Sequence, residues 1–267
     1  MNDQTLHTRS DWYNAAILIL VPGLIEAYEK FRDANDDIAK ILRSLIFRVK
    51  KLIYAVNCIS IEHYFNTLKK EPIDINQSFA AYDELINYRH NYKGLAGFMD
   101  MDNYFIFFYH VEYIISLVTG IFDNLALLSN TYYSLNFPSR HISLSNNSGK
   151  NFLNEIRLKD PNLKSFVDTF RNFINLIYTL REKVVHKEGL DGSIHPLVPN
   201  WNSFIRIDDE INYYIKNCGD SKHLYKYITN WGIIKHQDEK FIDPFFFSQN
   251  ILNETVAFVR GYIPFIK

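Results

Sequence analysis

Cysteine, glycine and proline are all scarce in this chain. Cys58 and Cys218 stand far apart and in no metal-ligand spacing. That argues against a secreted disulfide scaffold and against a structural zinc, and it suits free thiols in a reducing compartment. A surplus of either charge is also missing: the net charge is -1 and the pI about 6.8. No whole-molecule basic field of the kind that coats nucleic acid follows from that balance, so any such contact must be local. The 9 histidines include no HxH or HExxH pair, and no metal site or cofactor is expected. Long uncharged runs are lacking as well. "YNAAILILVPGLI" (13–25) is too short to span a bilayer and carries Pro22-Gly23, and the stretch 104–128 is interrupted by Glu112 and Asp123. Both read as buried helices of a cytoplasmic protein with no membrane partner.

What the chain does have is apolar residues, 47% of the total, enough to bury a substantial core. They recur mostly at spacings of three and four, which predicts an all-α or mostly α fold of helices packed on helices. In residues 35–59 Ile38, Ile41, Leu42, Leu45, Val49, Leu52, Ile53 and Val56 share one face. Asn35 or Asp36 can cap the start. Lys40, Arg43, Arg48, Lys50 and Lys51 spread over the other side, either as a solvated surface or as a phosphate-contacting stripe. A shorter helix is expected near 77–91, a long aromatic-rich one over about 103–133, and a mobile loop over 136–150. A helix from about Pro161 to about His186 follows, then turn residues over 189–201. Residues 225–242 read as a small β-hairpin, and Asp243-Pro244 opens a last helix ending near 262–264. No linker forces a split, so 1–267 is expected to form one mostly helical domain with an N-terminal helical layer.

One position breaks the apolar pattern. On a wheel of 163–186, Leu163, Phe166, Val167, Phe170, Phe173, Ile174, Ile177 and Val184 form a stripe with Arg181 near its centre. A guanidinium cannot shed its charge, so Arg181 should be buried against a neighbouring element or a partner subunit that supplies an anion or acceptors. An ordinary core ion pair would meet that need, with Asp123 or Glu112 as the acid. His186 lies about 140° round the wheel from Arg181; a histidine there also suits the helix C-terminal carbonyls. One helix does not aim both side chains at one point unless it ends near Val185 or a second copy supplies the complement.

"LREKVVHKEG" (180–189) resembles the R-x(4–6)-H motif of the HEPN superfamily (higher eukaryotes and prokaryotes nucleotide-binding domains). The flanks are similar too: a long apolar helix leading to the arginine, Val184-Val185 between Arg181 and His186, and Lys187 with Gly189 after it. "HVEYIISLVTGIFDNLALLSNTYYSL" looks like the first long helix of a HEPN bundle. The resemblance covers about 100–190, with the helix 244–264 a further bundle member, and leaves 1–100 and 190–243 without a parallel. Arg171, in "RNFINLI", has the Arg-Asn start of many members but no histidine at the required distance. Glu182 departs from the Asn, Asp or His that follows the arginine in many active members.

The resemblance implies a metal-independent endoribonuclease, active as a homodimer through the Arg181/His186 helix, cutting single-stranded RNA by 2′-hydroxyl attack. His186 would serve as general base or acid and Arg181 would hold the phosphate. Glu182, Lys183, Lys187 and Asp123 are the supporting candidates, the lysines either steering RNA or merely solvating the helix end. The family also suggests a toxin or phage-defence role, with an antitoxin or regulatory protein as a further partner. A catalytically silent HEPN-like nucleotide-binding or dimerisation module is the alternative, and Glu182 points that way. The aromatics of 212–216 and 245–247 are expected to pack in the core rather than to stack bases.

Overall fold

The computed structural model describes residues 16–68, 103–145, 148–186, 192–194, 203–218, 231–236 and 238–266. Helices dominate, as the periodicity requires. A short helical stretch at 16–20 leads into α1 (Pro22–Phe31) and the long α2 (Asp36–Leu68). The Asn35 side chain accepts from the Ile38 amide at 3.1 Å, and Asp36 and Asp37 occupy the first turn, where carboxylates favour the helix dipole. The predicted face of α2 is the buried one, Ile41 alone being only partly covered. The helix predicted near 77–91 lies outside the described residues.

Helix α3 (Asn103–Tyr132) is the centre of the molecule. Val111, Ile114, Ile115, Val118, Ile121, Phe122, Leu125, Ala126 and Leu128 are buried on most sides of it. By length and composition it could cross a membrane, but most of it is buried inside the protein, as a core helix is. Among its described side chains the exposed ones, Tyr109, Ser116, Asp123 and Leu127, fall on one narrow outer stripe that also carries Gly120. By contrast, Leu18 and Ile19 in the 13–25 stretch are 54% and 72% exposed, so that stretch is buried on one side only, through Ile17, Val21 and Leu24.

Two expectations for the middle of the chain are corrected. The loop 136–150 is partly built in: Ser143, Leu144 and Ser145 are buried, and the Leu144 carbonyl accepts from the Arg171 guanidinium at 2.8 Å. The 161–186 helix is two helices, α5 (Pro161–Thr169) and α6 (Arg171–His186), preceded by an unforeseen α4 (Lys150–Lys159). Asp160 caps α5, accepting from the Asn162 and Leu163 amides at 3.0 and 2.9 Å. The chain turns at Phe170, whose φ and ψ are -100° and 15°. No glycine or proline marks this break. Arg171 holds it from outside, bonding to Asp168 at 2.8 Å as well as to Leu144.

The predicted hairpin is present as β3 (Ile233–His236) and β4 (Glu239–Ile242), within a larger unit. Two further strands, β1 (Gly192–Ile194) and β2 (Ser203–Ile207), complete a small antiparallel sheet of order β1-β2-β4-β3. β2 alternates as a half-buried strand should: Ile205 and Ile207 are covered and Arg206 is exposed. Gly232 precedes β3 at φ +67°, and a Cβ there would stand 2.9 Å from the Phe246 ring. Helix α7 (Asp209–Asn217), also unforeseen, follows β2.

Helix α8 (Pro244–Tyr262), capped by Asp243, closes the bundle. Phe258 sits at the junction, with ring centroids 5.3 Å from Phe122, 5.6 Å from Phe166 and 5.1 Å from Phe170. The buried Tyr262 hydroxyl lies 2.6 Å from the Ser129 hydroxyl and donates to the Leu125 carbonyl at 3.1 Å, which removes the cost of an orphaned polar atom. One hydrophobic cluster runs from Ile17 to Ile266. Within the 245–247 triplet Phe247 is a core residue; in 212–216 Tyr213 is exposed.

Glu254 on α8 is a half-buried carboxyl. Burial raises its pKa to about 7, and its carboxylate in turn adds to the burial that pushes the Cys218 thiol up. A carboxyl whose folded pKa exceeds its unfolded value favours the fold when protonated. Its contribution is therefore present below pH 4.5 and lost as pH rises to about 7. Glu254→Gln should stabilise the protein at pH 8 by about 2 kcal/mol, and chemical denaturation at pH 4 and pH 8 should show a smaller difference than in the wild type.

Candidate functional site

The site assembles where α2 and α6 flank the outer stripe of α3. Asp123 lies on that stripe. The Tyr178 hydroxyl of α6 donates to its Oδ1 at 3.2 Å, the Ser143 hydroxyl stands 3.4 Å behind Tyr178, and the Ser145 amide donates to Ser143 at 3.1 Å. Such a chain of hydrogen bonds fixes the carboxylate from the loop side. Asp123 is exposed as a residue, yet crowding around its carboxyl raises its pKa. The Tyr178 hydrogen bond and the charges of Arg181 and Arg48 act in the opposite direction. The burial of Tyr178 and the Asp123 charge likewise push the tyrosine pKa up.

Arg181 is exposed, which corrects the expectation of a guanidinium buried against a neighbouring element of the same chain. The reason is the break at Phe170, which separates the wheel of α6 from that of α5. On α6 alone the buried residues are Phe173, Ile174, Leu176, Ile177 and Leu180, and Arg181 falls roughly 70° from their centre. It lies on the flank shared with Tyr178, within electrostatic reach of Asp123. Among the described residues it makes no ion pair or hydrogen bond. Asp123, one of the two acids considered for it, is thus its neighbour, but at the surface and not in the core.

His186 is the last residue of α6. This position and that of Arg181 lie about 140° apart on a helical wheel. The His186 side chain and Lys187 lie outside the described residues. Glu182 is exposed. Lys183 is tied to Asp208, the cap of α7, whose Oδ1 also accepts from the Ile211 amide at 2.9 Å. That bond anchors α6 to α7 and occupies the lysine that had been a candidate for steering RNA. Burial acts to raise the Asp208 pKa, but the Ile211 amide, Lys183 and the Glu210 amide together hold it below the usual 3.8. Its stabilisation is therefore present above pH 3.8 and lost as pH falls below it. Asp208→Ala should cost about 1–2 kcal/mol at pH 7, and a melting series should show most of that loss gone in acid.

Two participants have no signal in the sequence, and a third is not singled out by it. Tyr178 and Ser143 carried no motif, and Arg48 was one of five basic residues on α2. Gly120 was the available signal, a lone glycine inside an otherwise apolar helix. Among the described residues no three of His, Cys, Asp and Glu gather as metal ligands. No protein-family model, curated protein or solved structure matches this chain significantly.

Proposed function

We propose that this protein is a metal-independent HEPN-type endoribonuclease that cuts single-stranded RNA as a homodimer. The observation that carries the reading is Arg181: a guanidinium at the end of a bundle helix, exposed beside the ordered Asp123 and with no ion pair among the described residues, five residues before a histidine. An incidental motif on a helical scaffold would leave that arginine in a core ion pair. An exposed guanidinium fork is instead free to take a phosphate.

In the proposed reaction the 2′-oxygen attacks the adjacent phosphorus as the bond to the 5′-oxygen breaks. One His186 side chain removes the 2′ proton, and a second, from the partner copy, protonates the departing 5′-oxygen. Arg181 neutralises charge gathering on the phosphoryl oxygens. The 140° divergence of Arg181 and His186 supports the dimer, since a two-fold axis along α6 sets one copy's arginine opposite the other's histidine. Products are a 2′,3′-cyclic phosphate and a 5′-hydroxyl. The same resemblance carries the proposal of a toxin or defence effector restrained by an antitoxin or regulatory protein.

The test is cleavage of end-labelled single-stranded RNA in EDTA by wild type and Arg181→Ala. Cyclic phosphate ends from the wild type, with the rate reduced about 100-fold or more in the variant, support the reading. Absence of cleavage by a stable dimer that still binds nucleotide would replace it with a binding module, the role to which the exposed Glu182 points.

A further inference from the structure

We infer that Arg48 and Arg181 form a two-guanidinium clamp that holds phosphates of a single-stranded RNA across the outer stripe of α3. Gly120 is kept bare so that Arg48 can reach that stripe. The inference rests on the functional reading above and adds to it a positioning residue from outside the resembling region.

The basic residues of α2 divide once their contacts are known. Lys40 pairs with Asp36 at 2.5 Å, the Arg43 guanidinium donates to the Tyr28 hydroxyl at 2.9 Å, and Lys51 lies 4.5 Å over the Phe47 ring. Arg48 does something different: it folds over α3. A Cβ built on Gly120 would stand 1.9 Å from Arg48 Nη1 and 2.5 Å from Cζ, so the guanidinium occupies the space that any other residue would fill. Gly120 lies on the outer stripe yet is buried, and Arg48 is what covers it. Beside this crossing the Asn124 amide donates to the Ser44 hydroxyl at 3.0 Å, fixing α2 against α3 one turn away.

Helix α3 gains nothing intrinsic from this glycine. A helix-interior Gly costs roughly 1 kcal/mol relative to Ala, and its use here is to admit the guanidinium.

Arg48 crosses the stripe at Gly120, one turn before Asp123, and Arg181 follows one turn after Tyr178, whose hydroxyl reaches Asp123 at 3.2 Å; both guanidiniums act on the Asp123 charge. Two guanidiniums therefore face one carboxylate that already accepts the Tyr178 hydroxyl. Lys183 adds nothing to this count, being bonded to Asp208, and Glu182 lies about 100° round the helix from Arg181. Among the described residues one positive charge is left over at this surface, with a planar donor fork on each side. A phosphodiester matches that charge and that geometry. Arg181 takes the scissile phosphate, and Arg48 takes its neighbour along the strand.

The clamp is tested on the full chain by measuring binding of a short 2′-O-methylated single-stranded RNA, which cannot be cleaved, over a series of salt concentrations. Arg48→Gln should weaken binding about tenfold and reduce the salt slope by about one. Arg48→Lys should keep the slope and recover part of the affinity. Lys51→Gln, on the same helix, should change neither. Gly120→Ala should weaken binding by displacing Arg48, and combining it with Arg48→Gln should add nothing.

Wild-type affinity and slope in Arg48→Gln would overturn the clamp, as would additive losses in the double variant or a wild type that does not bind. If His186→Ala abolishes cleavage while Arg48→Gln binds normally, the nuclease stands and the clamp falls. Arg48-dependent binding without any cleavage would leave the clamp standing on a protein that is not a nuclease.

Discussion

His186→Ala is expected to remove RNA cleavage, lowering the rate by about 100- to 10,000-fold while leaving RNA binding in place. General acid–base catalysis by one positioned side chain is worth about that much. In the proposed reaction Arg181 and the remaining phosphate contacts hold the RNA and survive the change. The same split should appear in end-group analysis: any residual product keeps a cyclic phosphate, because the 2′-hydroxyl remains the nucleophile. Lys183→Ala, three residues away, is the control. Its partner Asp208 places it in the α6–α7 contact, so its loss should lower stability and barely change the cleavage rate. Cleavage undiminished by His186→Ala in a clean preparation would remove the histidine from the mechanism.

Phe258→Ala should have the largest effect on stability, a loss of about 3–5 kcal/mol. Its side chain is fully buried and meets Phe122 of α3, Phe166 of α5, Phe170 at the break and Tyr262 of its own helix, all with centroids within 5.6 Å. Edge-to-face and offset pairs of this kind add to the apolar burial. The elements around the gap are held by separate contacts, including the Tyr262 hydroxyl to Leu125, so they cannot close it, and an unrelieved cavity costs most. Urea denaturation should show a lower midpoint with an unchanged slope. Leu158→Ala, at a leucine 70% exposed on α4, should shift the midpoint by about 0.5 kcal/mol or less.

Much of the helical framework could be read in advance because burial on one face leaves a period in the chain. The apolar face of α2, the long α3 and the Asp243-Pro244 start of α8 are local features with local signals. The hairpin β3–β4 was visible for the same reason, through β-rich residues around a polar turn. β1 and β2 were missed because so short a sheet is stabilised by pairing between distant segments, which one strand's sequence does not report. Helix α7 was passed over although Asp208 and Asp209 offer an ordinary cap and first turn.

The break at Phe170 is the most consequential difference. Nothing at 169–171 forbids a continuous helix, and on one continuous wheel Arg181 falls in the middle of the apolar stripe. Arg171 reaching Leu144 and Asp168 decides otherwise. With the helix divided there, Arg181 belongs to α6 alone and lies on an exposed flank beside Asp123 instead of in the expected core.

The sequence by itself determined the helical class, the apolar faces and the R-x(4)-H spacing, since each depends on residues within a few positions of one another. Only the tertiary structure decided that Arg181 is exposed beside Asp123, that Lys183 is bonded to Asp208 and that Arg48 crosses Gly120. Those outcomes depend on which helices lie side by side, and the charge left unpaired at a contact between helices is a property of the neighbours and not of either strand of sequence.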